Sequence, residues 1–306
     1  MTDLRSPAPG SCPLCHQVTD EQRLRFSASS ARRDRTERGR FACTSDAVGT
    51  HGPIYWCQPC QVGYSPTPDT AWLQEQYSMV EDPHYFDQEH HRLDNASRLL
   101  GQVERWQRPG KLLEIGSSVG ILLDAARRRG WEARGIEASK WAVEAGRARY
   151  GVDLEVGTIE SMHQQPAEMD CIMMVDVLEH LVDPQAALER CRHWLVPGGT
   201  LAVSTVNMTA PMARLMGTRW PGFMDMHLTY FSAPALRAMF KRAGLAPVWL
   251  GPASRRLSVG YVGERLRGAG RVAEVAAAAA RLPGLRNCSV TIRSRDLLLV
   301  IGQRAA

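Results

Sequence analysis

The residues best suited to chemistry fall into three groups: paired cysteines, a glycine turn followed by acids, and two histidines that close short motifs. Cys12-Pro-Leu-Cys15 and Cys57-Gln-Pro-Cys60 are Cys-x-x-Cys pairs. Such a turn places two sulfurs on one side of a tight loop, and two turns complete a tetrahedral Zn²⁺ shell. Four sulfurs leave no position for water, so the zinc site predicted at Cys12, Cys15, Cys57 and Cys60 is structural. It would fold a module too small to bury enough surface alone. His16, Cys43 and His51 are substitute ligands, but none forms a further pair.

The glycine turn lies in Lys111-Leu-Leu-Glu-Ile-Gly-Ser-Ser-Val-Gly-Ile-Leu-Leu-Asp124. Leu112, Leu113 and Ile115 form a short apolar run. Beyond Gly116 and Gly120, the residues Val119, Leu122, Leu123 and Ala126 recur at helical spacing. This reads as strand, tight turn and helix. The glycines let a ligand approach the backbone, and the helix start presents free N–H groups to a polar or anionic group. Glu137 ends the next strand about twenty residues on, where a carboxylate accepts hydrogen bonds from ribose hydroxyls. After the third strand, Thr158, Ile159 and Glu160 form a polar-apolar turn suited to an adenine ring.

Asp176-Val-Leu-Glu-His180 follows a fourth strand, and His227-Leu-Thr-Tyr-Phe-Ser232 precedes a late helix. Near the mouth of a sheet, His227 suits a general base of near-neutral pKa. His180 is the second candidate base, and Tyr230 completes the catalytic candidates.

The elements that must position these groups alternate regularly. Strands are expected at 111–115, 132–137, 153–156, 170–175, 200–205, 247–250 and 296–302. Ser139, Asp183 and Ser232 are the expected helix N-caps, with Pro184 at the first helical position. Gly151 and Gly244 follow helix ends. The continuous apolar run Cys171–Val175 is that of a strand covered on both faces. The pattern predicts an α/β fold, a doubly wound, mostly parallel seven-stranded sheet. The expected division is a zinc-ribbon-like module at 1–68, a helical connector at 69–110 and the sheet domain at 111–306. The module holds short ribbons at Gln17-Val18 and Gln61–Tyr64 and a solvated loop at Arg32–Arg40. In the connector, Ala71–Tyr77 is a short helix and a second helix runs through Leu99, Leu100 and Val103. Tyr77 or Tyr85 would line the pocket. Residues 252–295 read as an insertion with an alanine-rich helix at Val272–Leu282. It either covers the active site or makes a homodimer contact.

Composition narrows the partners. Of 306 residues, 44% are hydrophobic and 23% charged, as in a globular chain with a sizeable core. The net charge is +5. Lys111, Lys140 and Lys241 are the lysines, and the arginines are scattered among acids, which argues against a nucleic-acid partner. The first residues lack an apolar h-region, and no apolar run reaches membrane-spanning length. With eight cysteines and no export signal, metal is favoured over disulfides and the cytoplasm is the expected location, without a membrane partner.

These residues resemble the class I S-adenosylmethionine-dependent methyltransferases. Glu114-Ile-Gly116…Gly120 resembles the family's first motif, Glu137 its ribose acid, Asp176–His180 its fourth-strand motif, and Leu195-Val-Pro-Gly-Gly-Thr-Leu201 its turn into the fifth strand. His227-Leu-Thr-Tyr-Phe-Ser232 is similar to a subgroup that often carries an N-terminal Cys₄ module. One departure is Ser118, where the family usually has glycine. The resemblance implies S-adenosylmethionine as cofactor, bound by Glu114, Gly116, Ser117, Gly120, Glu137, Ala138, Thr158, Ile159, Asp176 and Val177. A nicotinamide dinucleotide fits less well, because the run is Gly-Ser-Ser-Val-Gly rather than G-x-G-x-x-G.

Methyl transfer from a sulfonium is an in-line displacement, so the protein positions the acceptor and, where required, removes its proton. The expected reaction is O-methylation of a small molecule, a specialised metabolite or sugar-linked intermediate. C- or N-methylation of a small molecule is the near alternative. Asp176, Glu179 and His180 also resemble the divalent-metal ligands of ubiquinone-pathway O-methyltransferases and small-RNA 2′-O-methyltransferases. Mg²⁺ there would bind a vicinal diol or catechol and lower its hydroxyl pKa. An RNA methyltransferase is disfavoured: the fourth strand lacks an Asn/Asp-Pro-Pro-Tyr run, and Cys171 lies inside that strand. A non-catalytic zinc-ribbon scaffold is disfavoured by the intact Glu114, Gly116, Gly120 and Glu137.

Overall fold

A computed structural model describes residues 11–16, 22–28, 41, 51–66, 69–266, 278–280, 282–286, 288–292 and 295–305. The principal sheet uses seven strands: β4 (Lys111–Ile115), β5 (Glu132–Glu137), β6 (Asp153–Val156), β7 (Met169–Val175), β8 (Leu195–Val206), β10 (Leu245–Pro252) and β13 (Leu297–Arg304). Their spatial order is β10-β13-β8-β7-β4-β5-β6. β13 runs antiparallel to both its neighbours, and the other pairings in the sheet are parallel. Residues Cys171 to Met174 of β7 are fully buried because helices cover both faces.

The strand order reverses between β4 and β7, which places a ligand crevice beyond their carboxyl ends. Four helices start at the expected caps or just after the expected turn: α3 (Ile121–Arg127), α4 (Lys140–Tyr150), α5 (Pro184–Trp194) and α7 (Ala233–Arg242). The Oγ of Ser139 accepts from Ala142 N at 3.0 Å, Asp183 from Ala186 N at 2.9 Å and Ser232 from Ala235 N at 3.3 Å. Each such cap contributes about 1 kcal/mol. The fifth strand differs from expectation: it begins at Leu195, and Pro197-Gly-Gly199 is an irregularity within it. Against β7 the register passes from Met169↔Leu195 to Cys171↔Thr200. A Cβ at Gly199 would lie 2.9 Å from Val196 O and 3.1 Å from Met169 O. The glycine is therefore needed where the two backbones crowd.

The N-terminal residues build a second sheet in the order β1-β2-β3-β9, from Gln22–Phe26, Ile54–Cys57, Val62–Tyr64 and Thr229–Tyr230. Its last strand belongs to the sheet domain, so the boundary expected at residue 68 is bridged by backbone pairing. The connector holds α1 (Thr70–Ser78) and α2 (Glu89–Val103). α6 (Pro211–Met216) follows β8, and residues 253–296 contribute the hairpin β11 (Arg255–Ser258) with β12 (Ser289–Ile292) and α8 (Val259–Leu266). Most of the expected alanine-rich helix, with Gln17-Val18, Arg32–Arg40 and Cys43, lies outside the described residues. Among the described residues, no helix is long and apolar enough to cross a membrane.

Candidate active site

The turn after β4 is shaped by left-handed backbone at Gly116 (φ 71°), Ser118 (φ 49°) and Gly120 (φ 76°). A Cβ on Gly116 would meet Val177 Cγ2 at 2.4 Å. The first motif thus touches the loop after β7, the contact a crevice between two diverging turns requires. Glu137 closes the other side: its Oε2 accepts from Ser118 N at 2.8 Å and its Oε1 from Ser139 N at 3.0 Å. Burial raises its carboxyl above the ordinary range, against the opposing N–H groups of Ser139, Ser118 and Ala138.

Glu114 is 4% exposed, and its Oε2 is buried without a hydrogen-bond partner. Burial pushes its carboxyl well above the usual carboxylate range, with the nearby Glu137 adding to the rise. An orphaned carboxylate oxygen fits the α-ammonium of an amino-acid-bearing cofactor, because that cation would restore its missing partner. Ile159 is buried, and its carbonyl accepts from Arg190 Nη1 at 2.9 Å. Thr158 shapes the same turn through Ser161, whose Oγ accepts from Thr158 N at 2.9 Å.

Beyond β7 the expected metal trio regroups. Asp176, itself left-handed at φ 57°, accepts from Ser204 Oγ at 3.0 Å and pairs with Arg255. The described set of converging donors is Glu179, His180 and His227, whose ligand atoms all lie within 4.8 Å of one another. His227 therefore takes the place assigned to Asp176 in the sequence reading. Glu179 is fully buried; its Oε2 accepts from Thr205 Oγ1 at 2.8 Å while its Oε1 has no partner. Burial and the Asp176 charge push its carboxyl up to about 8.

His227 lies edge-on to His180, with ring centroids 4.7 Å apart. Its Nδ1 donates to Gly222 O at 2.9 Å, which leaves Nε2 with the lone pair. His227, expected as a base of near-neutral pKa, lies in a buried setting. The side chain is 5% exposed, and burial, then the neighbouring His180, hold its pKa well below the ordinary value. His180 is lowered by burial too, and its Nδ1 sits 3.0 Å from Met226 O and 2.9 Å from Tyr77 OH. Tyr230, the third catalytic candidate, lies in the core. It is fully buried, and its hydroxyl donates to Met224 O at 3.1 Å.

Of Tyr77 and Tyr85, the two tyrosines expected to line the pocket, Tyr77 reaches His180. Tyr77 meets His180 edge-on at 5.9 Å, and Ser139 Oγ donates to Val80 O at 2.7 Å. Tyr85 instead packs under the Arg92 guanidinium, 3.7 Å from its ring centroid. Sequence reasoning missed Thr205 and Arg255, because neither stands in a motif. An open groove of about 1010 Å³ lies apart, between Leu24, Trp56, Met208 and Arg214, and contains none of the crevice residues.

At the N-terminus Cys12, Cys15, Cys57 and Cys60 present sulfurs within 4.8 Å of one another. The residues after the two pairs, His16 (φ 55°) and Gln61 (φ 53°), each adopt left-handed backbone. Burial and neighbouring thiols raise Cys60 to about 12, so a bound cation is what would favour thiolates there. The donor set fits zinc. His51 is not part of it: its ring packs 5.1 Å from that of Phe223, and its Nδ1 donates to Gly52 O at 2.7 Å.

Comparison with known proteins decides the family. A family model described as a methyltransferase domain matches residues 86–249, more than half of the chain. This chain belongs to the S-adenosylmethionine-dependent methyltransferases. The methyltransferase is 31% identical over 178 residues to the ubiquinone biosynthesis O-methyltransferase of Xylella fastidiosa strain M23, covering 54% of this chain and 72% of the relative. It is 33% identical over 122 residues to the protein of the same name from Xanthomonas campestris pv. campestris strain B100, covering 38% and 51%. With the Xylella fastidiosa strain 9a5c protein it shares 31% identity over 148 residues, covering 44% of this chain and 60% of that relative. The chain thus spans about half to three-quarters of the length of these relatives. In fold, it is similar to the putative methyltransferase solved in complex with the Haloferax volcanii Trm112 activator. That match has a TM-score of 0.52 at 18% identity and covers 72% of this chain and 96% of that one.

Proposed function

We propose that this protein transfers the methyl group of S-adenosylmethionine to a hydroxyl of a small acceptor bearing adjacent hydroxyls. The observation that carries the reading is the convergence of Glu179, His180 and His227 with a buried Glu179 oxygen left unpartnered. Two imidazoles and a carboxylate suit a first-row divalent metal such as Mn²⁺ better than the Mg²⁺ expected from the sequence, which prefers oxygen ligands. Such an ion would supply Lewis acidity, lowering a bound hydroxyl's pKa. The name of the similar Xylella and Xanthomonas proteins, O-methyltransferase, supports oxygen over carbon or nitrogen as the atom methylated.

The chain's own residues orient the partners. Glu114 holds the cofactor's ammonium end, Glu137 its ribose, and Thr158 with Ile159 its adenine. Gly222 and Met226 fix the two imidazole rings through their carbonyls. Tyr77 and the α1 segment exclude water from the same crevice, which strengthens every charge interaction inside. His227 serves this site as a metal-holding group, its lone pair on Nε2. Cys12, Cys15, Cys57 and Cys60 hold a structural zinc ion.

The test is product analysis with 4-methylcatechol as acceptor. Formation of S-adenosylhomocysteine and the O-methyl ether is expected, with a loss of at least a hundredfold in turnover for Glu179→Gln and His227→Ala while cofactor affinity stays within twofold. Undiminished turnover after chelation that leaves one zinc per chain removes the catalytic metal. A C- or N-methylated product from a wider acceptor panel would remove the O-methyl reading.

A further inference from the structure

The hairpin β11–β12 carries adjacent arginines with different partners. Successive strand residues point to opposite faces, and here Arg256 turns to α2 while Arg255 turns to the crevice. The Arg256 backbone exchanges two bonds with the Asn95 amide, N to Oδ1 at 2.7 Å and O from Nδ2 at 2.9 Å. Its guanidinium lies 3.5 Å from Asp94. Ser258 Oγ donates to Gln88 Oε1 at 3.2 Å, and His91 Nε2 bonds with Ser289 Oγ at 3.0 Å. The hairpin is therefore docked on α2 without help from Arg255.

Arg255 crosses to the loop after β7 and pairs with Asp176 through a single Nη2 contact. Asp176 lies three residues before Glu179, so the guanidinium bonded to it stands at the edge of the proposed acceptor site. Its side chain is 37% exposed. An ion pair this accessible contributes little to stability, on the order of 0–1 kcal/mol. A guanidinium has five N–H donors in a planar fork, and the bond to Asp176 uses one. The remaining edge is what an incoming oxyanion would meet.

We propose that Arg255 is the anion-binding residue of the acceptor site, and that the acceptor carries a carboxylate close to the hydroxyl that is methylated. This rests on the O-methyltransferase reading above. The donor sulfonium is cationic, so an acceptor ammonium would meet like charge from both the cofactor and Arg255. A carboxylate would meet opposite charge from both. Arg255 thereby selects acidic acceptors over amines.

Binding, rather than turnover, tests this first. Calorimetric titration of the full chain, loaded with S-adenosylhomocysteine and Mn²⁺, would compare 3,4-dihydroxyphenylacetate, 4-methylcatechol and dopamine. The acid is expected to bind at least tenfold more tightly than 4-methylcatechol, with dopamine weakest. Arg255→Gln should remove the tenfold preference, and Arg255→Lys should keep most of it. Equal affinity for the acid and 4-methylcatechol, no binding of the acid, or a preference that survives in Arg255→Gln overturns the proposal. Turnover read separately distinguishes the two ideas. A wild-type protein that prefers the acid by tenfold yet methylates no hydroxyl refutes the O-methyl reading and leaves the assignment of Arg255 in place.

Discussion

Tyr64 and Thr229 face each other across two antiparallel strands, one from the cysteine module and the other from the segment that carries His227. The pairing is reinforced by Ser65 N donating to Leu228 O at 3.0 Å and Ser232 Oγ donating to Gln61 O at 2.7 Å. Leu228 N in turn donates to Glu179 O at 2.8 Å. An unbroken run of backbone bonds therefore joins the four-cysteine site to the Glu179–His180–His227 cluster.

Loss of the four-cysteine site should reach the histidines. One zinc per chain is expected by elemental analysis. Cys15→Ser should lower the melting temperature and displace the ring resonances of His180 and His227 in histidine NMR spectra. Unchanged resonances in a zinc-free variant would show that the module and the cluster are uncoupled.

Glu114 should make cofactor binding depend on pH. Its folded pKa is raised, so the folded chain holds that proton more tightly than the unfolded chain. The contribution to stability is complete below the unfolded value near 4.3 and is lost as pH rises through the folded value. A bound ammonium favours the carboxylate, so cofactor affinity should rise over the same interval. Glu114→Gln should remove its part of both profiles, leaving the contributions of Glu137 and Glu179, and weaken cofactor binding by about 10- to 100-fold, the equivalent of roughly 1.5–3 kcal/mol for a charged hydrogen bond. Calorimetry across pH measures this, and an affinity independent of pH in the wild type would refute it.

Ser118 occupies left-handed backbone at φ 49°, a conformation that costs a non-glycine residue about 1–2 kcal/mol. Ser118→Gly should raise stability by about 0.5–1 kcal/mol, the strain relieved less the entropy the unfolded chain gains. The N–H that meets Glu137 is retained, so cofactor affinity should change less than threefold. A lowered melting temperature would show that the serine hydroxyl has a stabilising partner.

Gly146 lies where α4 crosses the glycine turn, and a Cβ there would sit 2.4 Å from the backbone oxygen of Val119. Gly146→Ala should destabilise by about 1–3 kcal/mol and weaken cofactor binding by shifting the turn. Gly157→Ala, whose Cβ would meet nothing nearer than 3.5 Å, is the control. Equal melting temperatures for the two variants would refute the close approach.

Local chemistry was legible in the chain itself. Ser139, Asp183 and Ser232 cap helices through atoms three residues away, and the apolar run of β7 announces burial on both faces. Gly116 and Gly120 mark a turn that few side chains tolerate. The convergence of the four cysteines and the place of Glu137 beside the glycine turn were readable for the same reason: both are set by spacing and residue type. Pairings across long intervals were not. His227 joins Glu179 and His180, and Arg255 reaches Asp176, because strand order and a hairpin docked on α2 bring them together. That the proposed base is buried and drawn below its ordinary pKa, and that Tyr230 is packed in the core, also followed from tertiary burial. Solvent access is a property of the folded surroundings, and no pattern of neighbouring residues along the chain encodes it.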